Sequence, residues 1–596
     1  MDRRDFIKTV STTVAGSTIL PSALVFAAGS NSGQSRISLV PSNQIEMGGI
    51  FGKAYRMSVD RLGKDPFNTN FILADLNFNQ KRWFTNFSGD ISGRFLETTS
   101  LTSTKEKPVP SFLKEVMARV PDLQKADGHF GHDVDWNKAV DFTIPTTEAL
   151  QMPILWGNGR LFLGLLAAWE RFGDPKMLAA AEKMGDFYIN IVLKRFCDPA
   201  RMKEYQTESE GYASAYVTCV FHGIEGLARC YRLTGKKKYL DAACQMADFH
   251  EPFDVLPVRH SHGSVSTHEA LVMLYEETGD QKYLDRVEKR WETAVGEGYI
   301  NACGSILEKY WITGYNRDEG CTESDWLRLN LMLWRNTGKA RYLDFAERLL
   351  WNGYLANQWP TGGYGHRYVG IDEKGPFSWQ KPSQESLWCC SFHCPLGLYE
   401  FKEYLAVFDG KTLLYNFPID FKTPFDLNGK KWTVVSRSLD PGEGSPLRTE
   451  VRVNGPAGES IPFSIRVPDW ADCVEIRLNG KTIVGKAENG RFLLPSPIAA
   501  GSKLELNFKG RPFLEDRRLH RLETGDSAAM YKESVLRYGP HVLVSRDTDG
   551  KKIEDLELSR KNGVIQIPSD RLSFFGEMNW EQQVKPHTFV FHIKLN

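Results

Sequence analysis

A chain of 596 residues is too long for a single hydrophobic core, so about two to four domains are expected. Its 41% apolar and 25% charged residues are ordinary for a globular protein. Lys plus Arg and Asp plus Glu each number 74, with no long run of either sign, which argues against a nucleic-acid partner.

In chain order, Asp2-Arg3-Arg4-Asp5-Phe6-Ile7-Lys8 resembles a twin-arginine export signal. An apolar stretch from about Thr9 to Phe26 follows, and Val25-Phe26-Ala27-Ala28 offers a small-residue cleavage site. Pro21 breaks this stretch, which is short for a membrane span. Residues 1–28 are therefore expected to be a signal peptide. The mature protein is expected without a membrane span and outside the cytoplasm, in the periplasm of a bacterium.

Residues from about 30 to 145 read as loop-rich, with a helical piece from Pro110 to Val120. Asp127-Gly128-His129-Phe130-Gly131-His132-Asp133 is a polar loop whose two histidines could touch a ligand, or simply be surface groups. From Trp156 a helix, a tight glycine turn and a second helix recur. The turns fall at Gly173, Gly235, Gly279 and Gly338, the last three followed by Tyr-Leu-Asp. Their unequal spacing argues against an open solenoid. It suggests a closed α/α toroid whose loops at one end build a site, running to about residue 405.

After Phe408 the apolar period becomes two. Lys431–Val435, Arg448–Val453, Phe463–Val467, Val474–Leu478 and Leu504–Phe508 alternate as strands, with Asn479-Gly480 as a hairpin turn. The expected fold is multidomain, α then β: an (α/α)6 toroid with an N-terminal loop-rich region (29–405), followed by two antiparallel β-sandwiches (406–515 and 516–596). The second holds Val542–Val544 and Phe589–Ile593.

Ten cysteines stand at 197, 219, 230, 244, 303, 321, 389, 390, 394 and 473. Most lie within helical patterns, which does not look like a disulfide framework. Glu319-Gly320-Cys321 and Cys389-Cys390 together supply one carboxylate and three thiols, the ligand number of tetrahedral zinc. Buried free thiols are the alternative. Cys394 is a spare thiol, a ligand or a core residue.

Several segments, in order, resemble the β-L-arabinofuranosidase family, glycoside hydrolase family 127. They are Phe221-His222-Gly223-Ile224-Glu225-Gly226, Thr267-His268-Glu269-Ala270, Glu319-x-Cys321, Glu347-Arg348-Leu349-Leu350-Trp351-Asn352 and Cys389-Cys390. Phe463-Ser464-Ile465-Arg466-Val467-Pro468-Asp469-Trp470 and Tyr538-Gly539-Pro540 continue the series. The resemblance spans roughly residues 150 to 545. It implies a retaining glycosidase that releases terminal β-L-arabinofuranose-type residues from plant cell-wall glycans. It further implies zinc on Glu319, Cys321, Cys389 and Cys390, with Cys389 as nucleophile. Glu308, in Gly304–Trp311, is the best match to the acid/base, and His222 and His268 match positions that contact the sugar. Tyr368 could line the same mouth.

Three departures stand out: a short Glu308–Glu319 segment, Ser391-Phe392-His393-Cys394 after the cysteine pair, and a poor match before residue 150. They leave the substrate less fixed than the metal. A branched acidic sugar of pectin is an alternative, with Lys309, Arg317 or Arg367 to meet its carboxylate. The competing readings are another α/α-toroid enzyme, such as a uronyl hydrolase or lyase with idle cysteines, or a non-catalytic glycan-binding protein with structural zinc. Fifteen Trp, 21 Tyr and 35 Phe would serve a large core in any of these, or sugar stacking in some.

Overall fold

The computed structural model describes residues 37–78, 87–106, 108–138, 151–198, 219–253, 260–306, 308, 317–371, 377–379, 384–442, 444–523 and 526–545. Short pieces follow at 557–558, 560–561, 564–565, 572–577 and 594–595. The export signal at 1–28 and the segment Phe589–Ile593 lie outside the described residues.

The first two-thirds of the described chain is helical. Its helices are α1 (Gly49–Arg61), α2 (Thr69–Asn77), α3 (Asp90–Thr102), α4 (Leu113–Arg119), α5 (Gln151–Phe172), α6 (Pro175–Phe187) and α7 (Gly223–Thr234). They continue with α8 (Lys237–His250), α9 (Ser261–Thr278), α10 (Gln281–Gly296), α11 (Gly320–Thr337), α12 (Arg341–Leu349) and α13 (Cys390–Phe401). The region read as loop-rich thus carries α1 to α4. Its periodicity is weak because the buried faces use small and polar residues; α1 buries Gly52, Ala54, Ser58 and Arg61 beside Phe51.

Two kinds of helix follow from two apolar patterns. In α9 every residue from Ser261 to Tyr275 is buried, and in α5 every residue from Gln151 to Ala168. A helix buried all round must be enclosed by others. In α10 a single stripe is buried: Tyr283, Leu284, Val287, Trp291 and Ala294. Such a helix lies outside. Accordingly α3 packs on α5, α5 on α7, α7 on α9, α9 on α11, α11 on α13, and α13 back on α3. On these lie α6, α8, α10, α12 and α1. The glycines at the four turns have φ of +70° to +72°, as a helix-ending left-handed residue requires. Tyr239, Tyr283 and Tyr342, just beyond three of them, are buried.

The contact between α3 and α5 is unusually close. A Cβ on Gly93 would stand 2.4 Å from the Arg160 carbonyl carbon. The start of α3 is held from α2, where the buried Asp75 Oδ2 accepts from the backbone N–H groups of Gly89 (3.1 Å), Ile91 (3.0 Å) and Ser92 (3.3 Å).

Beyond α13 the chain turns to sheet. A seven-stranded antiparallel sheet runs in the order Glu46–Met47, Phe421–Leu427, Lys430–Leu439, Leu447–Asn454, Ser502–Lys509, Cys473–Leu478, Lys481–Ile483. A four-stranded sheet runs Arg491–Leu493, Phe463–Arg466, Leu413–Tyr415, Ala406–Phe408. Its central pair is parallel, where only antiparallel strands were expected. The edge strand Glu46–Met47 comes from the N-terminal region, so that region reaches from the helices to the sheets. A further four-stranded sheet joins the long hairpin Phe513–Glu523/Asp526–Tyr538 to His541–Ser545 and Leu572–Phe574.

Candidate active site and metal centre

Two helix starts meet at the cysteines. Glu319 is the N-cap of α11 and Cys321 lies in its first turn. Cys389 is the N-cap of α13 and Cys390 its first residue. The free N–H groups and dipole of a helix start favour an anionic sulfur. A small sheet completes the frame. Strand Arg317–Glu319 pairs with Gly365–Ile371, setting Glu319 opposite His366. Gln384–Glu385 pairs with the same strand and leads into Ser386, whose Oγ accepts from the N–H groups of Cys389 (3.3 Å) and Cys390 (3.4 Å).

Glu319, Cys321, Cys389 and Cys390 are all buried, and one donor atom from each lies within 4.8 Å of the others. The Cys390 sulfur is 3.7 Å from that of Cys321 and 3.6 Å from that of Cys389, whose sulfur is 3.9 Å from Glu319 Oε1. All the cysteines are free, these three included. A tetrahedron with Zn–S bonds of about 2.3 Å has edges of about 3.8 Å. The donor set, its burial and its spacing therefore fit a tetrahedral divalent ion.

The three sulfurs are not equivalent. Burial opposes charge on Cys389, yet hydrogen bonds from Cys321, Cys390 and His366 hold its thiol well below the usual range. Burial, with the neighbouring Cys389, pushes Cys321 well above that range. Burial also lifts Cys390, to about 11. His366 Nε2 stands 3.8 Å from Cys390 Sγ and 3.5 Å from Glu319 Oε1. Burial works against its protonation, but the Cys390 sulfur outweighs it and raises the imidazole. Sequence reading passed over His366; its place depends on strand register, and the Glu-x-Cys motif does not reveal it.

Glu308 is also buried, and its carboxylate lies within 4.8 Å of donor atoms on Glu319 and His260. Its carbonyl accepts from Ser261 N–H (2.8 Å) and Oγ (3.0 Å), which ties it to the start of α9. Glu308 and Cys389 thus flank one shared carboxylate, that of Glu319. His260 caps α9, its Nδ1 accepting from Gly263 N–H at 3.2 Å.

His222 packs on Trp156 with the rings tilted by 37° and their centroids 3.9 Å apart, and Ser266 Oγ lies 3.4 Å from its Nδ1. Burial first, then Arg160, keeps the ring neutral, and among the described residues its Nε2 has no partner. The Trp156 ring is also 5.3 Å from those of His260 and His262. His268 points elsewhere: six residues beyond His262 on α9, it faces His250, ring centroids 6.3 Å apart. The side chains of Tyr368, Arg317 and Arg367 lie outside the described residues, as do Lys309 and the rest of 309–316.

Two other groupings are explained without a metal. His262, Asp325 and His393 converge, but both imidazoles hydrogen-bond the Asp325 carboxylate, and the far nitrogen of His262 faces Arg94 (2.8 Å) and Arg160 (3.1 Å). Two guanidinium groups there exclude a cation. In the loop at 127–133, His129 bonds Asp127 Oδ1 (2.5 Å) and the His132 carbonyl (3.0 Å), which fastens the loop to itself. Cys394 is a core residue, its sulfur donating to the Gly320 carbonyl at 3.1 Å.

A family model described as "Beta-L-arabinofuranosidase, GH127 catalytic domain" matches residues 202–299 and 307–394. These segments contain Glu308, Glu319, Cys321, Cys389 and Cys390. A search of curated proteins gives no match. Among solved structures, the chain is similar to a GH127 β-arabinofuranosidase at 15% identity (95% of this chain, 99% of that one, TM-score 0.65). It is similar to a GH127 β-L-arabinofuranosidase from Geobacillus stearothermophilus T6 at 13% identity (93% and 100%, TM-score 0.65). A protein titled only as a glycoside hydrolase matches at 16% identity (94% and 98%, TM-score 0.63). These likenesses carry the fold over nearly the whole chain, and the segments that bear the carboxylate–cysteine cluster match the catalytic domain of glycoside hydrolase family 127.

Proposed function

We propose that the protein is a glycosidase of that family, that it releases terminal β-L-arabinofuranose-type residues from plant cell-wall glycans with retention, and that Cys389 is its nucleophile. The observation that carries this reading is the convergence of three free sulfurs and the buried Glu319 carboxylate at two helix starts, with the buried carboxylate of Glu308 beside Glu319. On this reading the ring of six helices is an (α/α)6 toroid with the site at one end, followed by β domains at 406–515 and 516–596. Export under the Arg3-Arg4 signal places the enzyme where such glycans are met.

Glu319, Cys321, Cys389 and Cys390 are the residues that would hold zinc. When bound, zinc keeps the thiols deprotonated and makes the Cys389 sulfur a better leaving group. The Cys389 sulfur attacks the anomeric carbon while Glu308 gives its proton to the departing glycosidic oxygen. Glu308, now a carboxylate, takes a proton from water; that water displaces the sulfur and restores Cys389. This role requires Glu308 to carry its proton at the outset. His222, neutral and held against Trp156, offers Nε2 to a sugar hydroxyl.

The test is hydrolysis of nitrophenyl β-L-arabinofuranoside by the wild type, Cys389→Ser and Glu308→Gln. Cys389→Ser is expected to lose turnover entirely. Glu308→Gln should lose about 10²- to 10⁴-fold and show a sugar adduct on the peptide bearing Cys389. Full turnover by Cys389→Ser would overturn the reading, as would a wild type inert on every arabinofuranoside offered.

A further inference from the structure

Arg94 lies behind the cysteine cluster and belongs to none of the motifs read from sequence. It sits on α3 beside Gly93, and the close approach of α3 to α5 at that glycine brings Arg94 and Arg160 together on His262. Only 1% of Arg94 is exposed, so its donors must be accounted for. Nε donates to Asp90 Oδ1 at 2.8 Å, Nη2 to His262 Nε2 at 2.8 Å, and Nη1 points to Cys321 Sγ at 3.8 Å. Asp90 Oδ1 is itself fixed by Trp156 Nε1–H at 2.9 Å. His262 Nε2 accepts from two guanidinium groups, so the ring proton is on Nδ1, directed at Asp325. Asp325 is held on its other oxygen by His393. Every partner that orients Arg94 is thus itself oriented.

We propose that Arg94 is a charge-balancing positioning residue of the cysteine centre, its guanidinium donating to the Cys321 sulfur. The proposal rests on reading that centre as a thiolate metal site. Three thiolates and a carboxylate carry four negative charges, and a divalent ion leaves two uncompensated in a buried place. A fixed cation against one sulfur lowers that cost. A guanidinium does not lose its proton in a protein, so the cation is permanent. A charged donor on Cys321 also draws electron density from that sulfur and marks it as a standing ligand. Cys389 has a different set of neighbours, the Ser386 hydroxyl at 3.1 Å and the His366 imidazole.

Cobalt(II) and zinc(II) serve as probes. The full-length wild type, Arg94→Met, Arg94→Lys and Arg160→Met are loaded with cobalt(II), and their sulfur-to-cobalt charge-transfer bands are compared. Zinc affinity is measured against a chromophoric chelator. A hydrogen bond to sulfur lowers the energy of its lone pair, so Arg94→Met should move the band to longer wavelength. It should also weaken zinc about tenfold or more, as loss of an outer-shell partner typically does. Arg94→Lys, which keeps the charge without the fork, should fall between wild type and Arg94→Met. Arg160→Met, which shares His262 but not the sulfur, should leave the band in place. Equal shifts in Arg94→Met and Arg160→Met, or a wild-type band and affinity in both Arg94 variants, overturn the proposal. A wild type that takes up no cobalt overturns the metal reading beneath it, which distinguishes the two failures.

Discussion

A Cβ on Gly320 would stand 2.7 Å from the Cys394 sulfur and 3.0 Å from the Cys390 Cβ. The start of α11 therefore approaches α13 closely only because residue 320 has no side chain, and that approach sets Cys321 beside Cys390. Gly320→Ala forces these helix ends apart. Overpacking of this kind costs about 1–3 kcal/mol, and here it also spreads the sulfurs. The expected result is a lower unfolding temperature with a substoichiometric zinc content by elemental analysis. Gly296→Ala, whose Cβ would meet nothing within 4 Å, should change neither. Full zinc occupancy in Gly320→Ala would show that the cluster tolerates a wider gap. Glu319, Cys321, Cys389 and Cys390 were legible in sequence because each pair is adjacent or nearly so, and the ligand types are chemically specific. His366, His260 and Arg94 were not, because a strand register, a helix cap and a glycine-mediated helix contact bring them to the site. His268 was named from motif likeness alone, and the turn of α9 carries His260 and His262, not named from sequence, toward Trp156.

At the scale of elements, the glycine turns and Tyr-Leu starts made the paired helices readable from Trp156 onward, whereas α1 to α4 bury too many small and polar side chains to show a clear stripe. The far end of α13 illustrates another effect that no pattern reveals. Lys402 follows its last residue, where a cation suits the helix dipole. It is nevertheless buried, 5% exposed, with Nζ 3.4 Å from the Ile45 carbonyl and over the rings of Tyr55 (4.6 Å) and Tyr399 (5.0 Å). Burial wins, and despite Glu403 it lowers the ammonium from 10.5 to about 8. Because the folded value lies below the unfolded one, Lys402 costs stability in full below about pH 8. That cost is relieved as pH rises toward 10.5. The difference corresponds to about 3 kcal/mol. Burial holds Tyr399 at about 12 and Tyr55 higher still, so neither titrates in this window. Lys402→Met should therefore be more stable than wild type at pH 7, and its advantage should shrink toward pH 10. Denaturant unfolding at the two pH values measures this; a difference independent of pH would mean that the ammonium is not desolvated.

At the scale of the molecule, three segments that resemble family motifs meet far from the sulfurs. Glu347 accepts from Arg466 Nη1 and Nη2 (both 3.1 Å) and from Trp470 Nε1 (2.9 Å), across the boundary between the helices and the first sheet domain. Arg348, next along α12, donates to Glu515 (2.8 Å and 2.9 Å). Asn352 donates to the Pro540 carbonyl (2.9 Å) and accepts from Val542 N–H (2.7 Å). The Glu-Arg-x-x-x-Asn helix, the strand ending in Pro-Asp-Trp and the late Gly-Pro thus form one joint between helical and sheet domains. Sequence showed that these segments belong together but not why, since the residues that meet are more than a hundred positions apart. The Arg466 side chain is fully buried, and without Glu347 it keeps one carboxylate among the described residues, Asp344 at 2.6 Å, and the neutral Asn416 carbonyl at 3.1 Å. Glu347→Ala should destabilise by about 3–5 kcal/mol, the usual result of removing one partner from a buried pair. Glu347→Leu with Arg466→Met should recover much of the loss, because neither charge is then stranded. Unfolding temperature reads stability, and elemental analysis reads zinc. Folded Glu347→Ala should keep its zinc and a kcat within a few-fold of wild type, since Glu347 is not among the clustered ligands. If instead turnover collapses while stability holds, the motif serves catalysis, and the joint would not explain why it recurs.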